Sequence, residues 1–522
     1  MNSSFDIKSE VGTASDSPCA EGVFIPLTRF MRHFWLRCFG ISLIVLIPCI
    51  WHRRIEAGDL NSHIYNAWLT QLIESGKAPG LWIAHQPTNV LFDFMLVTLS
   101  RIIPLLLAAK IIVAISVLLF FWSTFAFIAS ITDRAPWTLC TFLAMVCYGW
   151  TFNMGFLNYY LSLGLSFLGI AVIWKAKKWE FVLLPVVLFL ILMAHPLGLA
   201  WFVSASAFLL AFRHLAKRFR AFPFITAVLC LIAIHFYFWK HFVVSSKKHS
   251  FYLYNGTDQF VLNGPAFKLS AVAMAGVLIA VVAFDFVKRN ETSKNFGLLW
   301  SMLLQLYILV FLAITLLPDS IRFLPSPAPL SLLSARLTSI SAILLCCIAG
   351  MVLPRRWHCI VFAAPASLFF CLLYLETSRI NRIEDQADRL IAGLPPFQRV
   401  LVTIPDERNS RLTLEHIVDT ACIYHCFTYG NYEASSGQFR VRALPGNSFV
   451  TSDYSASADI SAGTYMQKPS EMPMYQIFVC GLENSEEKLC LRLVSATETS
   501  GPSDNHQRTP TDSQPGRRLG NN

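Results

Sequence analysis

Apolar residues run along the first three-quarters of this chain in long stretches, broken by short charged loops. An apolar run of about 20 residues crosses a hydrocarbon core of about 30 Å as a helix, which satisfies its own backbone hydrogen bonds where no water can. Eleven such spans are read, at roughly 34–51, 105–131, 136–152, 155–174, 179–195, 197–212, 221–241, 267–287, 296–317, 335–353 and 357–375. With the N-terminus inside, the inner loops carry Arg134, then Lys175, Lys177 and Lys178, then Arg213, Lys217, Arg218 and Arg220, then Lys288, Arg289 and Lys294, then Arg355 and Arg356. Basic residues gather on the cytoplasmic side of membrane proteins, so this alternation sets the orientation. His52-Arg53-Arg54, directly outside the first span, opposes the rule and calls for a separate explanation.

The pattern changes between 52 and 104, the first outer loop. From Asp59 to about Ser75, Leu60, Ile64, Trp68 and Leu72 make an apolar helical face, and Glu56, Asp59, His63 and Asn66 a polar one. This predicts an amphipathic helix lying in the membrane interface. A second apolar stretch, 89–103, ends at Pro104 and is read as another interfacial helix, since a full span there breaks the charge alternation.

Beyond residue 375 the periodicity shortens. A charged helix is expected at Glu376–Leu390, strands at Arg399–Ile404, Tyr475–Val479 and Leu489–Val494, and a helix over Leu412–Cys426. The organisation is therefore a cytoplasmic segment 1–33, a transmembrane domain 34–375, an extracytoplasmic α/β domain 376–494, and a tail 495–522 rich in Ser, Thr, Pro, Gly and Asn and expected to be disordered. The fold class is an α-helical polytopic membrane protein with a small C-terminal α/β domain.

Composition agrees. The chain of 522 residues is 55% hydrophobic and 14% charged, against roughly 25% charged in soluble domains. The net charge of +10 sits in the short inner loops and does not point to nucleic acid. Most of the 14 cysteines lie singly in apolar runs, where Cys behaves as a small hydrophobe. Cys422, Cys426, Cys480 and Cys490 fall in the tail, where disulfides are expected with the pairing open.

Candidate chemistry gathers at the outer ends of the helices. In Glu56-Ala-Gly-Asp59-Leu-Asn-Ser-His63, a carboxylate and an imidazole four residues apart share a face; Asp59 is placed to take a proton from a hydroxyl or to bind a divalent metal. The bland reading is a helix whose first Asp is a cap. His195 ends the fifth span before Pro196; Arg336 enters the tenth, where its fork suits a phosphate. Arg322 lies in the proline-rich loop before Arg336 and is a further candidate for substrate binding; Lys240 could add positive charge at the same level, with headgroup contact the plainer role. Asn153 and Asn158 flank an outer turn, and bond either a sugar or the turn backbone. In the tail, His416, Asp419 and Cys422 follow three-residue steps, but without a paired CxxC signature their spacing is not a zinc pattern.

The layout resembles the GT-C superfamily of membrane glycosyltransferases, in its first outer loop with an acidic residue, its interfacial helices and its outer C-terminal domain. Gly58-Asp59-Leu60-x-x-His63 also resembles the loop of bacterial multi-pass proteins related to that superfamily. His416…Asp419-x-Ala-Cys422, with Cys426-Phe-x-Tyr-Gly-Asn-Tyr432 and Ser436-Gly-Gln-Phe-Arg440, is similar to one such bacterial group. The resemblance covers about 1–375 and implies a bacterial inner-membrane enzyme with a lipid-linked sugar as donor. It makes Asp59 the general base, with His63 and Glu56 beside it, and Arg336, His195 and Lys240 the groups that meet the leaving phosphate. Many relatives carry adjacent or once-spaced acids in this loop, whereas Glu56 here stands three residues before Asp59. A transporter, or a scaffold that kept the fold without the activity, is the competing reading; no internal repeat of the transporter kind is evident in the sequence.

Overall fold

The computed structural model describes residues 27–175, 182–246, 256–262, 264–287, 294–323, 328–351, 357–404, 416–483 and 486–494. The tail expected to be disordered at 495–522, most of the segment 1–33, and the basic loops at 177–178, 288–289 and 355–356 lie outside them. One unit ends at Ile44 and holds most of a helix, Leu27–Val45. A second begins at Val45 and takes in both the remaining helices and the C-terminal α/β segment.

Among the described residues, seven helices are long and apolar enough to cross a membrane: Leu105–Thr132, Leu157–Lys175, Pro196–His214, Lys217–His241, Pro265–Phe284, Leu333–Met351 and His358–Ala392. This is a membrane protein. Shorter apolar helices stand at His33–Val45, Leu91–Ser100, Leu184–Ala194 and Ser301–Leu316. The expected span 136–152 is instead broken, into a 3-10 turn, Cys140–Cys147 and Trp150–Asn153. The break falls at Tyr148-Gly149, where Gly149 is extended and Asn153 donates to the carbonyls of both residues.

Leu157–Lys175 is the most enclosed of these helices and packs against Leu105–Thr132, Leu184–Ala194 and Pro196–His214. Gly198 permits the last contact, because a Cβ there would lie 2.1 Å from Ser162 Oγ. Lys217–His241 by contrast shows Phe222, Ile225, Leu229 and Phe236 on its surface, as a helix facing lipid does. At one end of the bundle Lys175 pairs with Asp133, and Arg213 donates to the Trp174 carbonyl at 2.9 Å, so three of the expected inner-loop segments meet there.

The span 357–375 and the charged helix after it are one helix of 35 residues, His358–Ala392. Nothing helix-breaking intervenes at Tyr374-Leu-Glu376, so the last crossing runs straight on into the tail. His52-Arg53-Arg54 docks against this extension. His52 stacks on Tyr374 at 4.7 Å, and Arg54 reaches Glu384 at 3.5 Å and Asp385 at 2.8 Å and also pairs with Asp388. The basic run that breaks the inside rule is thus neutralised by acids from the far end of the chain. Arg54→Met leaves Glu384 buried without its cation. We expect a loss on the order of 3 kcal/mol, seen as a lower melting temperature and earlier proteolysis of the 376–404 segment.

The tail forms a sheet in the order β5-β4-β7-β8, with β4 at Gln398–Thr403, β5 at Cys426–Thr428, β7 at Met474–Glu483 and β8 at Glu486–Val494. β4 is parallel to both β5 and β7, and β7–β8 is an antiparallel pair. The helix expected over Leu412–Cys426 is only four residues long in its described part, Asp419–Cys422, and Cys426 already belongs to a strand. A Cys422–Cys426 disulfide spans this turn, and Cys480–Cys490 ties β7 to β8. Two further strand pairs lie outside that sheet. β1, Leu81–Ile83 in the loop expected to be the first outer one, pairs with β6, Val441–Ala443, and so knits that loop to the tail. β2, Val243–Ser245, pairs with β3, Ser320–Arg322.

The first-loop helix forms where expected, at Leu60–Glu74, but it does not lie half in an interface: Leu60 to Thr70 are all buried. Its polar stripe is a docking face. Ser62 donates to Glu433 at 2.8 Å, Asn431 donates to Asn66 at 2.8 Å, and Asn61 donates to Glu384 at 2.6 Å. Trp68 stacks on Phe427, and Tyr65 Oη accepts from the Thr428 amide. A polar stripe reads the same in sequence whether water or another segment covers it, and here the tail covers it.

Candidate functional site

Asp59 stands immediately before the Leu60–Glu74 helix, yet its side chain makes no cap hydrogen bond. Its backbone is held from below: the Gly58 amide donates to the Asn153 carbonyl at 2.8 Å and the Asp59 amide to the Met154 carbonyl at 3.2 Å. Gly155, at φ +75°, sits so close that a Cβ there would fall 2.3 Å from the Asp59 nitrogen. Only glycine fits that contact and that backbone conformation. The turn around Asn153 therefore serves as the seat of Asp59. Asn153 spends its side-chain amide on that turn's carbonyls, and Asn158 bonds Asp93 at 2.9 Å and the Phe92 amide at 2.8 Å.

From this seat the Asp59 carboxylate faces the tail, with Oδ1 3.8 Å from His416 Nε2. Asp419 sits 3.0 Å from the other ring nitrogen of His416, and the Tyr432 ring lies 5.2 Å from the imidazole. Arg336, His63 and Glu433 are all within electrostatic reach of Asp59. His416, Asp419, Tyr432 and Glu433 come from the tail, far downstream of Asp59; in the sequence the first two read as a weak metal pattern and, with Tyr432, as part of the motifs that carry the resemblance, and none was assigned to the site. Their signal was the i, i+3 step of His416 and Asp419.

Arg336 lies with its guanidinium 3.9 Å above the Phe156 ring, and Tyr159 Oη donates to its carbonyl. Its Nη1 is 3.2 Å from His195 Nε2. The contact is unusual in its protons. His195 Nδ1 accepts the Leu197 amide at 3.1 Å, so the proton of a neutral ring is on Nε2. Two N–H donors then face each other, and Arg336 Nε is buried without a partner among the described residues.

The other candidates fall elsewhere. Glu56 accepts from Asn381 at 2.5 Å and lies against Glu384, in a network separate from that of Asp59. Burial and the Glu384 charge push its carboxyl well above the usual range. Among the described residues no group of three or more His, Cys, Asp or Glu converges to hold a metal ion. Lys240 is exposed at the end of its helix, and Arg322 is exposed on β3 opposite Val243.

His63 is buried and bonds Asp93 at 2.7 Å, with Glu433 at 3.9 Å. Burial opposes its charge, but Asp93, Glu433 and Asp59 outweigh burial and hold its pKa up to about 9. Burial, against the pull of His63, pushes Glu433 up to about 7. The signs agree. Charged His63 stabilises the fold below its ordinary value of 6.5, and that contribution is lost as pH rises through about 9. Ionising Glu433 costs stability as pH rises from 4.5 to about 7. We expect the melting temperature to fall steadily from pH 6.5 to 9, and Asp93→Asn to flatten the upper part of that slope. A wild-type melting temperature that is level or rises over this range contradicts the pairing.

At the carboxyl ends of β4 and β5, where open α/β sheets hold their ligands, a small recess is lined by His416, Asp419, Gly430 and Asn431. Ile404 and Ser461 are shared with a neighbouring cavity of about 390 Å³ lined also by Tyr432, Tyr454 and Ser457. No family model, curated protein or solved structure matches the chain.

Proposed function

We propose that this protein is a membrane glycosyltransferase of the GT-C type, moving a sugar from a polyprenyl-phosphate donor to a hydroxyl acceptor at the outer face of a bacterial inner membrane. The reading takes the N-terminus as cytoplasmic, the tail as extracytoplasmic and the crossings as eleven, several of them short. One observation carries it. Asp59 lies within electrostatic reach of Arg336, whose guanidinium and the His195 N–H face each other as two donors. A carboxylate beside a desolvated anion grip is what displacement of a lipid phosphate by a hydroxyl requires.

The step follows from the residues. Asp59 takes the acceptor's proton while the oxygen electron pair attacks the anomeric carbon. The bond to the phosphate oxygen breaks, and its electrons leave as charge on the phosphate, which Arg336 and His195 meet in a site that needs no reorganisation. The polyprenyl chain lies among the apolar helices.

The test is release of polyprenyl phosphate from a panel of polyprenyl-phosphate sugars, with the full chain in nanodiscs. Turnover by the wild type and its loss in Asp59→Asn support the reading. A wild type that neither binds nor cleaves any of the panel ends it. Orientation is checked separately by labelling Met466→Cys, which is highly exposed on the tail, with an impermeant thiol reagent from the outside.

A further inference from the structure

Two carboxyls apart from Asp59 are buried against each other: Glu56, in the segment before Asp59, and Glu384, on the His358–Ala392 helix beyond its apolar run. Their hydrogen bonds leave one oxygen on each to account for. Asn381 Nδ2 donates to Glu56 Oε1 at 2.5 Å, and Asn61 Nδ2 donates to Glu384 Oε1 at 2.6 Å. The Arg54 amide donates to Asn381 Oδ1 at 3.0 Å, which fixes the way that amide points. Glu384 Oε2 is buried with no hydrogen-bond partner among the described residues, and Arg54 Nε stands 3.5 Å from it.

Positive charge is scarce around the pair. Arg54 spends its two terminal nitrogens on Asp385 and Asp388. Arg53 is exposed and pairs with the same two acids at 3.3 and 3.4 Å. Lys110, across a recess lined also by Arg54 and Asn61, donates to the His52 carbonyl at 3.0 Å. Asp419, on the short helix packed against this one, lies 3.0 Å from His416. Arg53 and Arg54 thus serve Glu56, Glu384, Asp385 and Asp388 together, and two buried carboxyls in contact do not both ionise cheaply. A proton on Glu56 gives Glu384 Oε2 the donor it lacks.

We propose that Glu56 and Glu384 share a single proton and form a pH-sensitive latch, which fastens the segment before Asp59 to the last long helix while the proton is held and loosens it when the proton leaves. The proton leaves to water by the recess beside Arg54 and Asn61, and no other reactant is needed. Burial and the Glu384 charge hold the Glu56 carboxyl well above its usual range. The sign follows: the latch is fully closed below the ordinary carboxylate range and is lost as pH rises through the raised value. It needs no substrate, so it stands or falls apart from the transferase reading.

Two measurements on the full-length chain in nanodiscs test it. The first is the infrared difference between the wild type and Glu56→Gln. The wild type should show the carbonyl stretch of a protonated carboxyl at pH 6, absent from the variant and fading toward pH 9. No such band at pH 6 overturns the latch. The second is hydrogen exchange of the peptides covering 52–62 and 376–388, corrected for the intrinsic effect of pH. Wild-type protection should fall by about tenfold or more from pH 6 to 9, a single proton giving at most about tenfold per pH unit. In Glu56→Gln, which keeps the shape of the protonated acid, it should change by less than about twofold. Glu384→Gln removes the other charge, should flatten the slope likewise, and guards against a Glu56 variant that folds poorly. Asp93→Asn, aimed at the His63 pair, should leave this local slope in place. A wild type without the slope, or an equal slope in both Gln variants, overturns the latch.

Discussion

Asp59→Asn is expected to lower turnover by about 10²–10⁴-fold, the range a positioned general base supplies. The substitution is nearly isosteric, and the seat of residue 59 is made by main-chain bonds to Asn153 and Met154 and by the close approach of Gly155, none of which involves the carboxylate. Folding should therefore survive. Loss of the negative charge also leaves Arg336 more attractive to an anion, so polyprenyl phosphate should bind as well as before or better. The expected signature is a collapse of kcat without a rise in KM for the donor, the mark of an interaction made in the transition state. Glu56→Gln is the control, because Glu56 belongs to the Asn381–Glu384 network and should leave kcat nearly unchanged. Initial rates with a lipid-linked sugar decide both. A kcat for the Asn variant within about threefold of wild type removes Asp59 from the chemistry.

Arg336→Gln is expected to cost about 10²–10³-fold, comparable to removing one preorganised donor from an oxyanion site. Here the loss should appear in donor binding as well as in kcat, since the phosphate is charged before and after the bond breaks. Arg336→Lys should recover little. An ammonium keeps the charge but loses the planar fork that puts Nη1 toward His195 while the guanidinium lies on Phe156. The arginine Nε, buried without a partner among the described residues, also disappears. Polyprenyl phosphate binding measured on the purified variants separates the outcomes. Undiminished affinity in the Gln variant would show that Arg336 does not grip the phosphate and that its contact with His195 is structural.

Much of the frame was legible because it rests on local rules. An apolar run of 28 residues such as Leu105–Thr132 has one stable form in lipid. The helix after Asp59 and the strand at Gln398–Thr403 follow from short-range periodicity. Where reading failed, a local pattern admitted two environments. The polar face read at Glu56, Asp59, His63 and Asn66 suited an open cavity as well as it suited the tail that buries the helix, where Asn66 and its neighbours Asn61 and Ser62 are bonded. The apolar residues of 136–152 were enough for a span, but Gly149 and the Asn153 side chain stop the helix.

The sequence by itself determined that this is a membrane protein, that Asp59 stands at the start of a helix after the first apolar run, and that His195 and Arg336 are worth watching, because apolar length and isolated polar residues in apolar surroundings are written in the chain. Only the tertiary structure decided that Arg54 is held by acids on the last long helix, that Glu56 parts company with Asp59, that His195 and Arg336 meet as two donors, and that His416 and Asp419 return from the tail to face Asp59. Most of these pairings join segments that lie far apart along the chain. No periodicity specifies them; they depend on which helix ends the bundle brings together and on the strand pairing that locks the tail across the first loop.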